Sequence, residues 1–326
     1  MSAAARTEPG PLRPTHAAPR LVPLGDAAPG ELLALSDAAN WNQTEEDWRT
    51  MLSLSLGLAW GLRVQDPQVG AEVLAASTVV LPYQGEGSSF AWISMVLVLP
   101  QWRGRGFAAS LLRCALVELA ARPLRPVLDA TPAGHAVYSR QDFVDCWRYV
   151  RWRRQAAAAP PLAAAARGPM VGIRVRRATD WPEIQALDAP AFGADRTALL
   201  RTLARRLPQA AWVAEKDGAL RAYLMGRDGR TALQLGPLVA DDERTALALI
   251  QAALPAVAAT AAASGRDVIM DLRDGCRGIA AWLQGQGFVN ERPFTRMVHA
   301  PDRRADDVQA PGDAKHIVLV AGPEFG

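Results

Sequence analysis

Residues 95–112 read Met95-Val-Leu-Val-Leu-Pro-Gln-Trp-Arg-Gly-Arg-Gly-Phe-Ala-Ala-Ser-Leu-Leu112. An apolar, β-branched run over 93–99 stops at Pro100. Two glycines and two arginines follow, and Phe107, Leu111, Leu112, Ala115, Leu116 and Leu119 then recur at helical spacing. The pattern predicts a strand, a glycine-rich turn and a helix that begins near Gly106. Such a junction presents unpaired N–H groups and the positive end of a helix dipole. Gly104 and Gly106 let phosphate oxygens come close to that backbone. This is an anion cradle, and a pyrophosphate suits it.

Three phosphate loops compete for the stretch. A Walker loop ends in Gly-Lys-Ser/Thr, and no such end follows Gly106. A dinucleotide fingerprint wants a third glycine where Ala109 stands, a tolerated variant, and an acid some 20 residues on. Asp129 lies about there, so spacing alone does not exclude it. The whole run Val96 to Ala108, V-x-V-x-P-x-x-R-G-x-G-x-A, resembles the acetyl-coenzyme A motif of the GCN5-related N-acetyltransferase (GNAT) superfamily. In that family an Arg/Gln-x-x-Gly-x-Gly/Ala run wraps the CoA pyrophosphate, which matches Arg103, Gly106 and Ala108. A second run, Leu128 to Tyr138 with Gln141-Asp-Phe143 behind it, is similar to the family's later helix, whose tyrosine lies against the CoA sulfur. Asp142 departs from the family's usual glycine and puts the local turn in question.

With 326 residues, two domains are the natural reading, and 50% hydrophobic content supplies their cores. No apolar run reaches about 18 residues, and the N-terminus lacks a signal-peptide core, so no membrane partner is expected. Cys114, Cys146 and Cys276 are odd in number and scattered; they read as reduced thiols of a cytoplasmic protein, with no metal. Net charge is only +3, carried by dispersed arginines with just Lys216 and Lys315 beside them, which disfavours nucleic acid.

In chain order, residues 1–20 are Ala/Pro/Thr-rich and read as disordered. Helices over 28–35 and 44–56 precede strands over 58–63, 72–81 and 90–99. Thr44 and Asp47 form a cap box for the second helix. A Gln84-Gly-Glu-Gly-Ser88 turn feeds the cradle strand. After the cradle helix come a strand over 125–129, a helix opened by Thr131-Pro132, and a strand over 143–153. Residues 155–169 are an Ala/Pro-rich linker. The order then repeats. A strand over 173–176 leads to a helix capped by Asp180 with Glu183, a helix over 195–207 and hairpins at Asp217-Gly218 and Asp228-Gly229. A strand over 232–239, a long helix from Asp241, a strand over 268–271, a helix over 277–284 and a last strand after Phe288 complete it. Asp271 lies 142 residues after Asp129, and Phe288 lies 145 after Phe143.

The second copy lacks the cradle. Asp241-Asp-Glu-Arg-Thr-Ala246 stands where Arg103 to Ala108 stand, with no glycine and three carboxylates, and Leu283 replaces the tyrosine. Gly236-Pro-Leu-Val-Ala240, Leu283-Gln-Gly-Gln-Gly-Phe288 and Phe294-Thr-Arg-Met297 resemble the C-terminal acetyltransferase-like domain of tandem members. The resemblance therefore implies an α/β (α+β) fold of two tandem GNAT-like domains, each a mixed, mostly antiparallel sheet flanked by helices. The first spans 21–154 and is catalytic; the second, degenerate, spans 170–300; a tail over 301–326 offers one extra strand.

It further implies an N-acetyltransferase using acetyl-CoA as co-substrate and no metal. Backbone groups of Leu97 and Val98 face the thioester, while Arg103, Gly104, Arg105, Gly106, Phe107 and Ala108 hold the pyrophosphate. Tyr138 hydrogen-bonds or protonates the departing thiolate. Trp41, Asn42 and Gln43, in the loop between the first two helices, overhang the acceptor. Plainer readings exist: Trp41 and Tyr138 as core, the amides as caps, Arg103 and Arg105 as solvated surface. Glu45, Glu46, Asp47, Glu72 and Asp129 are the candidate bases, and His135 reads as an exposed helix-face residue. The partner is a small-molecule or peptide amine of unnamed identity, and a homodimer is left open. The competing functions are a non-catalytic acyl-CoA-binding or sensing module and transfer of a longer acyl group.

Overall fold

The computed structural model describes residues 18–85, 89–156, 172–302 and 307–326. Most of the N-terminal segment 1–20, part of the 84–88 turn and nearly all of the linker lie outside these residues. In the first half the elements are β1 (Arg20–Pro23), α1 (Pro29–Ala38), α2 (Glu45–Leu54), β2 (Ala59–Asp66), β3 (Ala71–Tyr83), β4 (Phe90–Val98), α3 (Phe107–Ala120), β5 (Arg125–Ala130), α4 (Pro132–Ser139) and β6 (Phe143–Arg154). The second half repeats that order with β7 (Ile173–Val175), α5 (Trp181–Phe192), α6 (Thr197–Arg206), β8 (Trp212–Lys216), β9 (Ala219–Asp228), β10 (Ala232–Ala240), α7 (Glu243–Ala263), β11 (Asp267–Arg273), α8 (Arg277–Gly285) and β12 (Val289–His299). The tail adds β13 (Ile317–Leu319).

Local chemistry sets most boundaries. Thr44 caps α2 as its sequence predicts: its hydroxyl accepts from the Asp47 N–H at 3.2 Å, and the Asp47 carboxylate accepts from the Thr44 N–H at 2.8 Å. The box expected at Asp180 does not form. Asp180 instead accepts from the Arg174 guanidinium and the Arg177 N–H, and Glu183 accepts from the Leu220 N–H. Asp142 keeps the turn its family analogy questions. It adopts the left-handed conformation itself, φ 60°, and its counterpart Gly287 does the same at φ 82°.

The thirteen strands of the described residues join in one sheet, in the order β1-β2-β3-β4-β5-β12-β6-β11-β13-β10-β9-β8-β7. The last strands of the two halves are exchanged. β12 lies antiparallel to β5, with Arg296 opposite Asp129, and β6 lies antiparallel to β11, with Arg151 opposite Asp271. β6 and β12 pair with each other, Tyr149 opposite Phe294. The result is a pseudo-two-fold arrangement in which each half's sheet is completed by the other's final strand.

Charge fixes this seam. Arg296 donates twice to Asp129 (2.9 and 3.0 Å), and Arg151 donates twice to Asp271 (2.8 and 2.7 Å); all four residues are buried or nearly so. Such pairs hold register because a slip would leave a desolvated charge without its partner. The Arg296 guanidinium also lies over Trp92 and Trp147, with 4.4 and 4.1 Å to the ring centroids.

One sheet face carries α3 and α4, packed through Leu112, Ala115, Leu128 and Phe143. The opposite face of the first half is covered by α1 and α2 through Leu35, Trp48 and Met51, joined by Phe192 and Phe325 from the second half and tail. α7 packs across the second half's sheet through Leu249, Ile250, Ala253 and Val257. This 21-residue helix is long and apolar enough to cross a membrane, contrary to the sequence reading of its apolar runs, and half of its most apolar stretch is buried against the core.

Candidate active site

β4 and β5 run parallel only over Phe90–Trp92 and Arg125–Val127. Beyond that they diverge, because a bulge re-aims β4. The β3–β4 register shifts between the Ser77–Leu97 and Val79–Ser94 pairs; Met95 sits at φ 51°, and its carbonyl accepts from the Ser77 hydroxyl at 2.8 Å. Sequence reasoning misses this bulge, since nothing in the alternation of 93–99 marks Met95 as left-handed. The Leu99 N–H donates to Ala75 on β3. Antiparallel alternation therefore turns the Leu97 peptide groups toward β3 and those of Val98 away from it, toward the splay. The Val98 carbonyl accepts from Arg103 Nε at 3.1 Å, as a group facing outward can.

The cradle follows. Gly104 and Gly106 both lie in the left-handed region, φ 76° and 79°, with open space where a Cβ would project. Gly106 is the N-cap of α3 and offers no side chain to its first turn. The N–H groups of Phe107 and Ala108, at the positive end of a 14-residue helix's dipole, thus carry no side-chain cap. Arg103 and Arg105 are exposed beside them. Arg105 lies over Trp102 at 4.5 Å, and Trp102 stacks on Phe107 with 6.3 Å between centroids, which props the turn from below.

Tyr138 sits in the last turn of α4, packed in the cluster that holds Val96 of β4 and Phe143. Burial pushes its pKa up to about 12, and its hydroxyl has no hydrogen-bond partner among the described residues. It is a neutral donor beside the splay. His135, a turn earlier, bonds Asp145 at 2.7 Å on the exposed side.

The loop expected over the acceptor is docked on the second half. The Asn42 amide donates to the Ala232 carbonyl and accepts from the Thr231 and Ala232 N–H groups and the Thr231 hydroxyl. Gln43 is buried, and Trp41 accepts from Arg230 through its carbonyl. Each candidate base is engaged by or lies beside an arginine. Glu45 pairs with Arg49, Glu72 with Arg20, and Asp129 with Arg296 and the Tyr149 hydroxyl. Asp47 is held by Arg206 and Arg227, and Glu46 lies 4.0 Å from Arg206.

The matching region of the second half is closed. β13 inserts between β10 and β11, Leu319 pairing with Leu238 on one side and Leu272 on the other. At the β10 bulge stand Gly236 and Pro237, the latter with no N–H to offer. The N-terminus of α7 is capped by Asp242, whose carboxylate accepts from the Thr245 N–H and hydroxyl at 2.8 Å each. The first half thus has an open splay and an uncapped helix, and the second has neither. No group of three or more His, Cys, Asp or Glu suited to a metal occurs among the described residues.

Residues 184–310 match the family described as acetyltransferase (GNAT) domain. That stretch lies in the half whose splay is filled. No curated protein matches the chain. Among solved structures it is similar to a putative acetyltransferase from Pyrococcus horikoshii, at 18% identity and TM-score 0.69 over 99% of this chain and 100% of that one. It is similar also to a GCN5-related N-acetyltransferase from Sphaerobacter thermophilus, at 13% identity and TM-score 0.60 over 88% and 98%. A tandem GNAT protein from the clavulanic acid biosynthesis pathway aligns at 16% identity and TM-score 0.61 over 88% and 100%. At these identities the likeness is one of fold.

Proposed function

We propose that this chain, which carries the GNAT fold twice in tandem, transfers an acetyl group from acetyl-CoA to a primary amine in the splay of its first half. The observation that carries this reading is the asymmetry between halves: an uncapped, glycine-led α3 beside an open β4–β5 splay, against a capped α7 beside a splay filled by β13.

The CoA pyrophosphate lies on the N–H groups of the 104–108 turn, with Arg103 and Arg105 adding charge. The arm of the cofactor enters the splay along β4, where the peptide groups of Val98 face it. The amine attacks the thioester carbonyl in a ternary complex, and outward N–H groups at the β4 bulge stabilise the oxyanion that forms. As the tetrahedral species collapses, the carbon–sulfur bond breaks and the sulfur takes the Tyr138 hydroxyl proton. A tyrosine with its pKa pushed up to about 12 stays protonated and neutral at neutral pH, so its hydroxyl is present as the donor for this step and is reprotonated from solvent afterwards. The proton lost by the nitrogen passes to water, since each candidate carboxylate is engaged by or lies beside an arginine.

The test is thiol release from acetyl-CoA across a panel of primary amines. Amine-dependent release that falls with Tyr138→Phe while acetyl-CoA still binds supports the reading. Tight binding with no amine-dependent release points to a sensing module, and release only from longer thioesters points to another acyl group.

A further inference from the structure

β12 belongs to the second half in sequence, yet it runs beside β5 of the first. Its last pair with β5 is Thr295 opposite Ala130, so Arg292 lies beyond the end of β5. Strand alternation puts Arg292, Phe294 and Arg296 on one face, the face from which Arg296 reaches Asp129. The pseudo-two-fold equates Arg292 with Trp147, which lies beyond the end of β11, whose last pair with β6 is Arg273 opposite Tyr149. In the second half that position is apolar and filled, with Trp147 packed against the cluster that contains Ile317 of the inserted β13. In the first half the same position, beyond the end of the strand that borders the splay, carries a guanidinium.

That guanidinium is short of an acceptor. Arg292 Nε is buried without a hydrogen-bond partner. The nearest carboxylate oxygen, on Glu291, is 3.9 Å away, and Glu291 already takes the Arg153 Nε at 2.6 Å. Arg292 lies over the Phe294 ring at 5.0 Å, and Arg151 lies over the same ring at 5.2 Å while donating twice to Asp271. Its neighbours on this face, Arg151, Arg153 and Arg296, are each held by carboxylates at 3.0 Å or less. Among the described residues Arg292 has only the distant Glu291 carboxylate for its charge, and it is stacked in place and partly desolvated, with its side chain 27% exposed. A buried donor of this kind calls for an anionic acceptor, and a planar fork fits a carboxylate.

We propose that Arg292 anchors a carboxylate on the acceptor amine, a specificity contact that the second half lends to the first half's active site. This rests on the acetyltransferase reading above. The acceptor is then an amino acid or a peptide-like amine with a free carboxylate near its amino group, rather than a neutral or cationic amine.

The test pairs carboxylate amines with their amides, glycine with glycinamide, β-alanine with β-alaninamide, and glutamate with its α-amide, under saturating acetyl-CoA. In parallel, the N-acetylated member of each pair is titrated into the CoA-bound protein. At least one carboxylate should be acetylated, and its product bound, roughly tenfold or more better than its amide. Arg292→Gln should abolish that preference through the acceptor KM, leaving the amide and acetyl-CoA constants unchanged, and Arg292→Lys should restore part of it. If CoA binds but no carboxylate is preferred, or Arg292→Gln leaves the preference intact, the assignment is overturned. If CoA does not bind at all, the acetyltransferase reading fails and this one falls with it.

Discussion

Tyr149 on β6 and Phe294 on β12 stand directly opposite each other, their rings stacked 5.0 Å apart and 11° from parallel. They occupy matching places in the duplicated order, 145 residues apart, so the pseudo-two-fold axis passes between them. Val320 of the tail packs onto the same pair. The meeting point of the two halves is therefore a closed apolar stack, flanked on each side by a buried arginine–carboxylate pair.

Breaking one of those pairs leaves a desolvated charge. Asp129→Asn keeps the volume but leaves the Arg296 charge unmatched between two indoles, and should destabilise by about 3–5 kcal/mol. Arg296→Met combined with Asp129→Leu should recover much of that loss. Urea unfolding would show this. It should also show one transition for both halves, because each sheet is completed by the other half's strand.

Asn42 links the halves, its amide taken by Thr231 and Ala232. Asn42→Ala removes the acceptor for two buried N–H groups and the donor for the Ala232 carbonyl, and should cost about 1–3 kcal/mol. Steady-state kinetics should show unchanged KM for acetyl-CoA and for the amine. A selective rise in the acceptor KM without loss of stability would return Asn42 to the substrate site.

Tyr138→Phe removes the thiolate's proton source while keeping the packing against Phe143. The expected effect is a fall in kcat of about 10²-fold or more, with acetyl-CoA affinity unchanged. Rate and affinity falling together would mean that the ring is merely structural.

Acid should loosen the junction of the halves. Asp47 is deeply buried, which by itself raises a carboxyl pKa, but Arg227 and Arg206 outweigh that and hold it below its ordinary value. A depressed folded pKa means stability is fully present above the unfolded value near 3.9 and is lost as pH falls through the folded one. Asp180, lowered mainly by its bond to Arg174, adds in the same direction. Thermal unfolding between pH 6 and 2 should show Tm falling most steeply below pH 4, and Asp47→Asn should flatten that slope.

The sequence shows the elements well and their pairing poorly. Apolar periodicity, the Thr44 box and the glycine-rich turn are local signals, and the strands and helices they predict are present. The strand exchange is not local. The 143–153 stretch reads as a strand whichever half it completes, and only the matching of Arg151 with Asp271, over 100 residues away, decides. Likewise 317–319 reads as a strand, but nothing in its residues says that it fills the second splay. Asp129, a candidate base by position, is the seam's anion because Arg296 arrives from the other half. Arg292 escapes a sequence reading for the same reason.

The central claim is that one half of a duplicated fold holds the cofactor. Calorimetric titration of acetyl-CoA into the full chain tests it most directly, with Gly106→Trp beside it to fill the cradle. Thermal unfolding of the variant would confirm that a side chain at φ 79° leaves the fold intact. The account predicts one binding event per chain, abolished by that substitution. Two events, or one that survives in folded Gly106→Trp, would contradict it.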